Sequence, residues 1–151
     1  MIDGVMVKQL TAIPDDRGRL MEIIRSDDEH FLGFGQVYMT TTYPGVVKAW
    51  HMHKLQTDHM CAVHGMFRVA LYDAREDSPT YGELQEVYMG VHRPVLVRIP
   101  PGVYHGWICV SQEEGIVVNT PDLPYDRGNP DEYRLPFDSA EIPYDWSRRM
   151  G

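Results

Sequence analysis

Cysteine is scarce in this 151-residue chain, which has two, Cys61 and Cys109. Both stand in apolar, strand-like sequence, so buried free thiols in a reducing compartment are expected rather than a disulfide framework. Basic residues are the minority: 14 Lys and Arg face 22 Asp and Glu, a formal charge of −8. That balance excludes a general binder of nucleic acid or of anionic membranes, while leaving room for a locally positive pocket that takes a small anion. Long apolar runs are missing too. The first twenty residues carry Asp3, Lys8, Asp15, Asp16, Arg17 and Arg19 with nothing like a signal-peptide core, and no stretch is long enough to span a bilayer. The expectation is a cytoplasmic protein. Helical periodicity is almost absent, with only residues 27–31 suggesting one short helix.

What is present is period-two alternation, rich in β-branched residues and broken at short intervals by turn chemistry. Strands are expected at 5–13, 19–25, 36–42, 46–53, 58–64, 66–72, 85–91, 95–99, 104–110 and 115–120. The breaks are Asp15-Asp16-Arg17-Gly18, Tyr43-Pro44-Gly45, Ser78-Pro79-Thr80-Tyr81-Gly82 and Pro100-Pro101-Gly102. Gly65 is placed to take positive φ in a tight hairpin. A hydrophobic fraction of 43% suits one soluble domain over residues 1–151. Its all-β core covers about 5–120. From 121 onward Pro121, Pro124, Pro130, Pro136 and Pro143 forbid central strands, so 121–151 reads as a wrapping tail. Tyr125, Tyr133, Phe137, Tyr144 and Trp146 are its expected anchors.

Chemistry concentrates at His51-Met52-His53. On a strand these two imidazoles point the same way. Alone, the pair is compatible with two ordinary half-exposed histidines. Gly45, Asp58, Gly65 and, forty residues later, Pro100-Pro101-Gly102-Val103-Tyr104-His105 raise it to a candidate site. Two readings share the residues. Three imidazoles (His51, His53, His105) and the Asp58 carboxylate suit a divalent metal, whether Fe, Mn, Ni or Zn. Alternatively a histidine with a pKa near neutrality takes a proton from a carbon beside a ketone, with Asp58 orienting a ring or holding its charge. Tyr38, two residues after Gln36, is the candidate proton donor. Lys48 has the wrong strand parity to join His51 unless a bulge lies near Ala49-Trp50. His59 should face away from Asp58, and His30, His64 and His92 should lie at the surface. Trp50 and Trp107 are expected to pack.

The spacing from Gly45 through His51, His53 and Asp58 to Gly65 resembles the first motif of the cupin superfamily, and Pro100-x-Gly102-x-x-His105 the second, with Asp58 in place of the usual Glu and Cys109 where Asn is common. A cupin jelly-roll barrel is therefore implied. Within the superfamily, Asp16-Arg17-Gly18-Arg19-Leu20-Met21-Glu22, Gln36, Lys48-Ala49-Trp50-His51, the run from Asp73 to Gly82 and Ile99 to Trp107 resemble the dTDP-4-dehydrorhamnose 3,5-epimerase family. The resemblance implies a homodimer without cofactor that binds a nucleotide-activated 4-keto-6-deoxyhexose. It assigns the base to His51 and substrate binding to Arg17, Glu22, Gln36, Lys48 and His105. Lys48 replaces an Arg and loses the two-pronged grip on phosphate. The family's catalytic Lys aligns with Asp58 and its acid Tyr near Val118, and its Asp partner lies in a C-terminal extension for which this sequence has no match. Gln36-Val37-Tyr38 and His51-Met52-His53-Lys54 also resemble the dTDP-sugar 3,4-ketoisomerases, which use a paired His-x-His without metal. The implied function is an epimerase or isomerase of polysaccharide or deoxysugar biosynthesis, with His51, His53, Tyr38 and Asp58 in catalysis. The alternatives are a metal-dependent cupin enzyme and a non-catalytic nucleotide-sugar-binding cupin.

Overall fold

The computed structural model describes residues 1–149. Alternation becomes two facing five-stranded antiparallel sheets. The strands in chain order are β1 (Met6–Gln9), β2 (Ala12–Asp15), β3 (Gly18–Met21), β4 (Tyr38–Thr42), β5 (Val47–Met52), β6 (Asp58–His64), β7 (Met66–Asp73), β8 (Leu84–Gly90), β9 (Val95–Ile99), β10 (Val103–Cys109), β11 (Gly115–Asn119) and β12 (Tyr133–Arg134). One sheet runs β1-β9-β6-β11-β4 and the other β12-β5-β10-β7-β8, while β2 and β3 form a separate hairpin. Inward side chains of both sheets, among them Phe67, Leu71, Met89, Val97 and Val117, fill the space between them. This is the layered core that a jelly roll requires.

Most expected strands are found within two residues of their ends, and β6 and β9 coincide with the expectation. Gly65 joins β6 to β7 at φ 73°, as the hairpin demands. Both cysteines are free and buried. Four expectations need correction. The strand expected at 19–25 ends at Met21, as β3. Residues 5–13 do not form one strand. Leu10 donates its N–H to the Pro94 carbonyl (2.9 Å), after which the chain turns into the β2–β3 hairpin, where Pro14 lies in a two-stranded ladder. Residues 27–31 form no helix. Single hydrogen bonds from Asp28 to Arg25 and from Phe31 to Asp28 close isolated turns, too short to repay helix nucleation. Phe137 anchors nothing and is exposed.

The tail docks at both ends of its path. Its short strand β12 extends the second sheet by pairing Tyr133 with Met52 and Arg134 with His51. Farther on, Tyr144 and Trp146 enclose the fully buried Trp50, with ring centroids 5.8 and 4.9 Å away. The first contact brings tail residues to the pocket, and the second holds the outer face of the strand that carries His51.

Candidate active site

The parity problem of Lys48 is resolved by a bulge. Strand β10 pairs His105 with His51 but Trp107 with Lys48, so β5 carries one residue more than β10 over this stretch. Gly106 makes the arrangement possible, since a Cβ there would stand 2.4 Å from the Ala49 Cβ. Lys48 and His51 therefore both line a cavity of about 680 Å³ between the sheets. Lys48 Nζ donates to Thr40 Oγ1 (2.9 Å) and the Thr41 carbonyl (2.6 Å). Both partners are neutral, so the ammonium keeps its full charge for a ligand in the cavity.

Behind the cavity wall lies a buried charge cluster. Asp58 Oδ1 accepts hydrogen bonds from Gln56 Nε2 (2.7 Å) and Asn119 Nδ2 (2.8 Å). Oδ2 lies 3.4 Å from both His53 Nε2 and His105 Nε2, without a well-directed hydrogen bond to either. Burial opposes the charge on His53, yet contact with the Asp58 carboxylate and the Asp131 carbonyl on Nδ1 outweighs it and raises the pKa to about 9. Both ring nitrogens thus face acceptors, as an imidazolium requires. Burial likewise opposes the Asp58 carboxylate, but the His53 and His105 contacts hold it down at about 2. His105 is lowered by burial, against the attraction of Asp58. At neutral pH the cluster is one imidazolium, one carboxylate and one neutral imidazole.

His51 is set differently. Burial, then the His105 ring and Arg134, lower its pKa to about 4, with Glu132 opposing. It is a neutral imidazole with a free lone pair throughout the neutral range. Glu132 and Arg134 reach the cavity on the tail, whose placement rests on Asp131. The Asp131 carboxylate accepts the backbone N–H groups of Lys54 (2.8 Å), Leu55 (2.8 Å) and Gln56 (3.0 Å), locking the turn between β5 and β6 to the tail.

Tyr38 starts β4 on the opposite sheet, and its hydroxyl accepts a hydrogen bond from Asn119 Nδ2 at 2.8 Å. Its pKa is raised by burial and then by the Asp58 charge, partly offset by Asn119, so it is a protonated phenol at neutral pH. Gln36 also lines the cavity, as do Trp107 and Tyr125. Trp107 Nε1 is tied to Thr42 Oγ1 (3.0 Å).

The structure therefore gathers His51, His53, Tyr38, Gln36, Lys48 and His105 around one cavity, with Asp58 directly behind them. Of the four candidate metal ligands, His53, Asp58 and His105 bring ligand atoms within 4.8 Å of one another and His51 does not join them. Arg17 and Glu22 are not brought to this cavity. Arg17 sits at the tip of the projecting β2–β3 hairpin, paired with Asp15, and Glu22 pairs with Arg25 beside a smaller hollow. His59 faces away as expected, fully buried between the Thr120 and His30 carbonyls. Gln56, Asn119, Asp131, Glu132 and Arg134 went unnoticed in the sequence. Asn119 had a signal, since it ends an alternating strand as a polar residue of core-facing parity; the tail residues had none.

Comparison with known proteins places these features. Residues 1–150 match the family model described as dTDP-4-dehydrorhamnose 3,5-epimerase. The chain is 43% identical over 151 residues to the probable low-salt glycan biosynthesis epimerase Agl13 of Haloferax volcanii, covering 99% of this chain and 97% of that protein. It is 41% identical over 147 residues to the spore coat polysaccharide biosynthesis protein SpsL of Bacillus subtilis, covering 97% of each. Among solved structures, a dTDP sugar isomerase from Desulfovibrio desulfuricans superposes with a TM-score of 0.91 at 35% identity, over 96% of this chain and 92% of that one.

Proposed function

This chain belongs to the dTDP-4-dehydrorhamnose 3,5-epimerase family, and from that premise we propose that it epimerises a nucleoside-diphospho-4-keto-6-deoxyhexose, without a metal, in polysaccharide or deoxysugar biosynthesis. Membership makes it an enzyme of the epimerase and isomerase kind. One observation carries the chemistry: a neutral imidazole, His51, and a protonated phenol, Tyr38, line one cavity from facing sheets. A proton removed from one face of a planar centre and returned to the other inverts it.

His51 takes the proton from the carbon beside the ketone, and the C–H electron pair becomes the enolate. The imidazolium of His53, in the cavity wall with Asp58 behind it, supplies positive charge near the developing anion. Tyr38 then gives its hydroxyl proton to the opposite face, and the phenolate and the His51 imidazolium exchange protons with solvent to reset the site. Lys48 offers the diphosphate an ammonium without a competing carboxylate, and Gln36 a neutral hydrogen-bonding group. Product analysis separates the outcomes: inversion at carbons 3 or 5 supports the epimerase, and migration of the keto group would make it a 3,4-ketoisomerase instead.

A second reading is favoured by Asp58 Oδ2, which lacks a hydrogen-bond donor: His53, His105 and Asp58 would hold a divalent metal. In that arrangement a metal would take the place of the His53 proton, so the two readings exclude each other in one pocket. Elemental analysis of untagged protein distinguishes them. Stoichiometric metal lost in His53→Ala would replace the metal-free reading.

We also infer a homodimer. Among the described residues the β2–β3 hairpin has no third strand, its apolar Ile13 and Leu20 are 58% and 60% exposed, and Arg17 does not line its own chain's cavity. Docking on a second copy would cover the apolar pair and carry Arg17 to a neighbouring substrate. Arg17→Ala should then raise KM for the nucleotide sugar while leaving kcat within a few-fold.

A further inference from the structure

We propose that Asn119 is the positioning residue that aims the Tyr38 proton into the cavity. The inference rests on the epimerase reading above and adds to it a residue that touches no substrate.

Asn119 ends β11, is 1% exposed, and pairs with Tyr38 on one side and Met60 on the other. The orientation of its amide is fixed by three contacts. Oδ1 accepts the backbone N–H of His59 at 3.0 Å, which only a carbonyl oxygen can do. Nδ2 must then face the other way, and both of its hydrogens are used there: one on the Tyr38 hydroxyl oxygen and one on Asp58 Oδ1, each at 2.8 Å. Turning the amide over would set its oxygen against the Asp58 carboxylate and its NH₂ against the His59 N–H, two repulsions in place of two bonds.

The consequence falls on the phenol. Its oxygen accepts a hydrogen bond from Asn119, so its own O–H points elsewhere, and Tyr38 faces the cavity. Asn119 also stands between the phenol and the nearest carboxylate. Without it, the strongest acceptor near Tyr38 is Asp58 Oδ1, which would draw the hydroxyl proton away from the substrate, directly or through a water. The same N–H supports the phenolate left after proton donation, and the contact does lower the Tyr38 pKa against the burial and the Asp58 charge that raise it.

The test compares Asn119→Ala, Asn119→Ser and Tyr38→Phe in deuterium oxide with a 4-keto-6-deoxyhexose nucleotide, following two products by mass spectrometry and proton NMR. Substrate that is deuterated but not inverted reports on His51 alone, and inverted product requires the donor. Each Asn119 variant should raise the ratio of uninverted exchange to inversion at least ten-fold, as Tyr38→Phe does. The Asn119→Ala and Tyr38→Phe double variant should be no worse than Tyr38→Phe. An unchanged ratio, or additive losses in the double variant, overturns the proposal. Far-UV circular dichroism and thermal melting of each variant guard against simple misfolding. Titration of ring-labelled Tyr38 by NMR in the free protein needs no substrate. The Tyr38 pKa should rise in both Asn119 variants, and no rise overturns the proposal even if every keto sugar tried proves inert. Inert wild type with the expected titration would instead count against the epimerase reading alone.

Discussion

At His51 the decisive quantity is the charge state of one ring. Burial is the largest influence, and the His105 ring and Arg134 act in the same direction, so the ring holds no proton until the pH falls to about 4. The acid limb of kcat/KM should therefore lie near pH 4 rather than at the ordinary histidine value of 6.5, and Arg134→Gln should move it upward. A limb at 6 or above in the wild type would show that the ring is not buried as described. Asp58 governs the neighbouring ring in the opposite sense. Removing its charge in Asp58→Asn leaves burial dominant at His53, so that ring should be neutral at pH 7, read from its NMR titration, with turnover down on the order of 10²-fold. A His53 still protonated at pH 8 in that variant would contradict the assignment. Residue by residue, His51, His53 and Asp58 were legible because strand parity and motif spacing fix which way they point. Arg17 and Glu22 were legible only as matches to relatives, and parity cannot tell which chain's cavity a projecting hairpin serves.

At the scale of elements, the site depends on two irregularities. The bulge in β5 turns both Lys48 and His51 inward, and Gly106 opposite it has no room for a methyl group. Gly106→Ala should push β5 outward and cost about 1–3 kcal/mol of stability, with a larger loss of activity than of folding. Chemical denaturation and steady-state kinetics on one sample would check both. The tail is the second device. Trp146 packs at a tilt against Trp50, the residue before His51 in the chain, and Asp131 locks the β5–β6 turn to β12. Trp146→Ala should cost about 3 kcal/mol and free the tail to proteolysis, raising the His51 pKa as burial falls. The long strands were readable because each carries several turns of a two-residue period. Strand β12 was not, since two residues have no period, and its position is set by the Asp131 side chain rather than by pattern. The expected helix at 27–31 failed for the complementary reason, as local composition without length cannot propagate.

For the whole molecule, the same rings make stability depend on pH. His53 has a folded pKa raised to about 9 from 6.5, so its contribution is complete below 6.5 and disappears as pH rises through about 9. Asp58 has a folded pKa lowered to about 2 from 3.8, so its contribution is complete above 3.8 and disappears as pH falls through about 2. His51, lowered to about 4, stabilises above 6.5 and loses that contribution as pH falls from 6.5 towards 4. Thermal melting should thus show a fall between pH 6.5 and 9 of up to about 3 kcal/mol, and His53→Gln should abolish that alkaline slope. A slope that survives the substitution would place its origin elsewhere. Molecular mass in solution tests the assembly: the dimer should persist in Arg17→Ala and dissociate when Ile13 and Leu20 are both replaced by Asp. The jelly roll itself was visible in the sequence as ten alternating segments with turn chemistry between them. How chains associate was not, because exposed apolar residues on one chain look alike whether they meet a partner or water.

The central claim is that His51 removes a proton beside a ketone. The direct measurement is deuterium uptake from solvent into a nucleoside-diphospho-4-keto-6-deoxyhexose, wild type against His51→Ala at pH 7. The account predicts uptake by the wild type at the carbons flanking the ketone, reduced on the order of 10³-fold or more in His51→Ala with folding intact. Equal uptake by both proteins would contradict it.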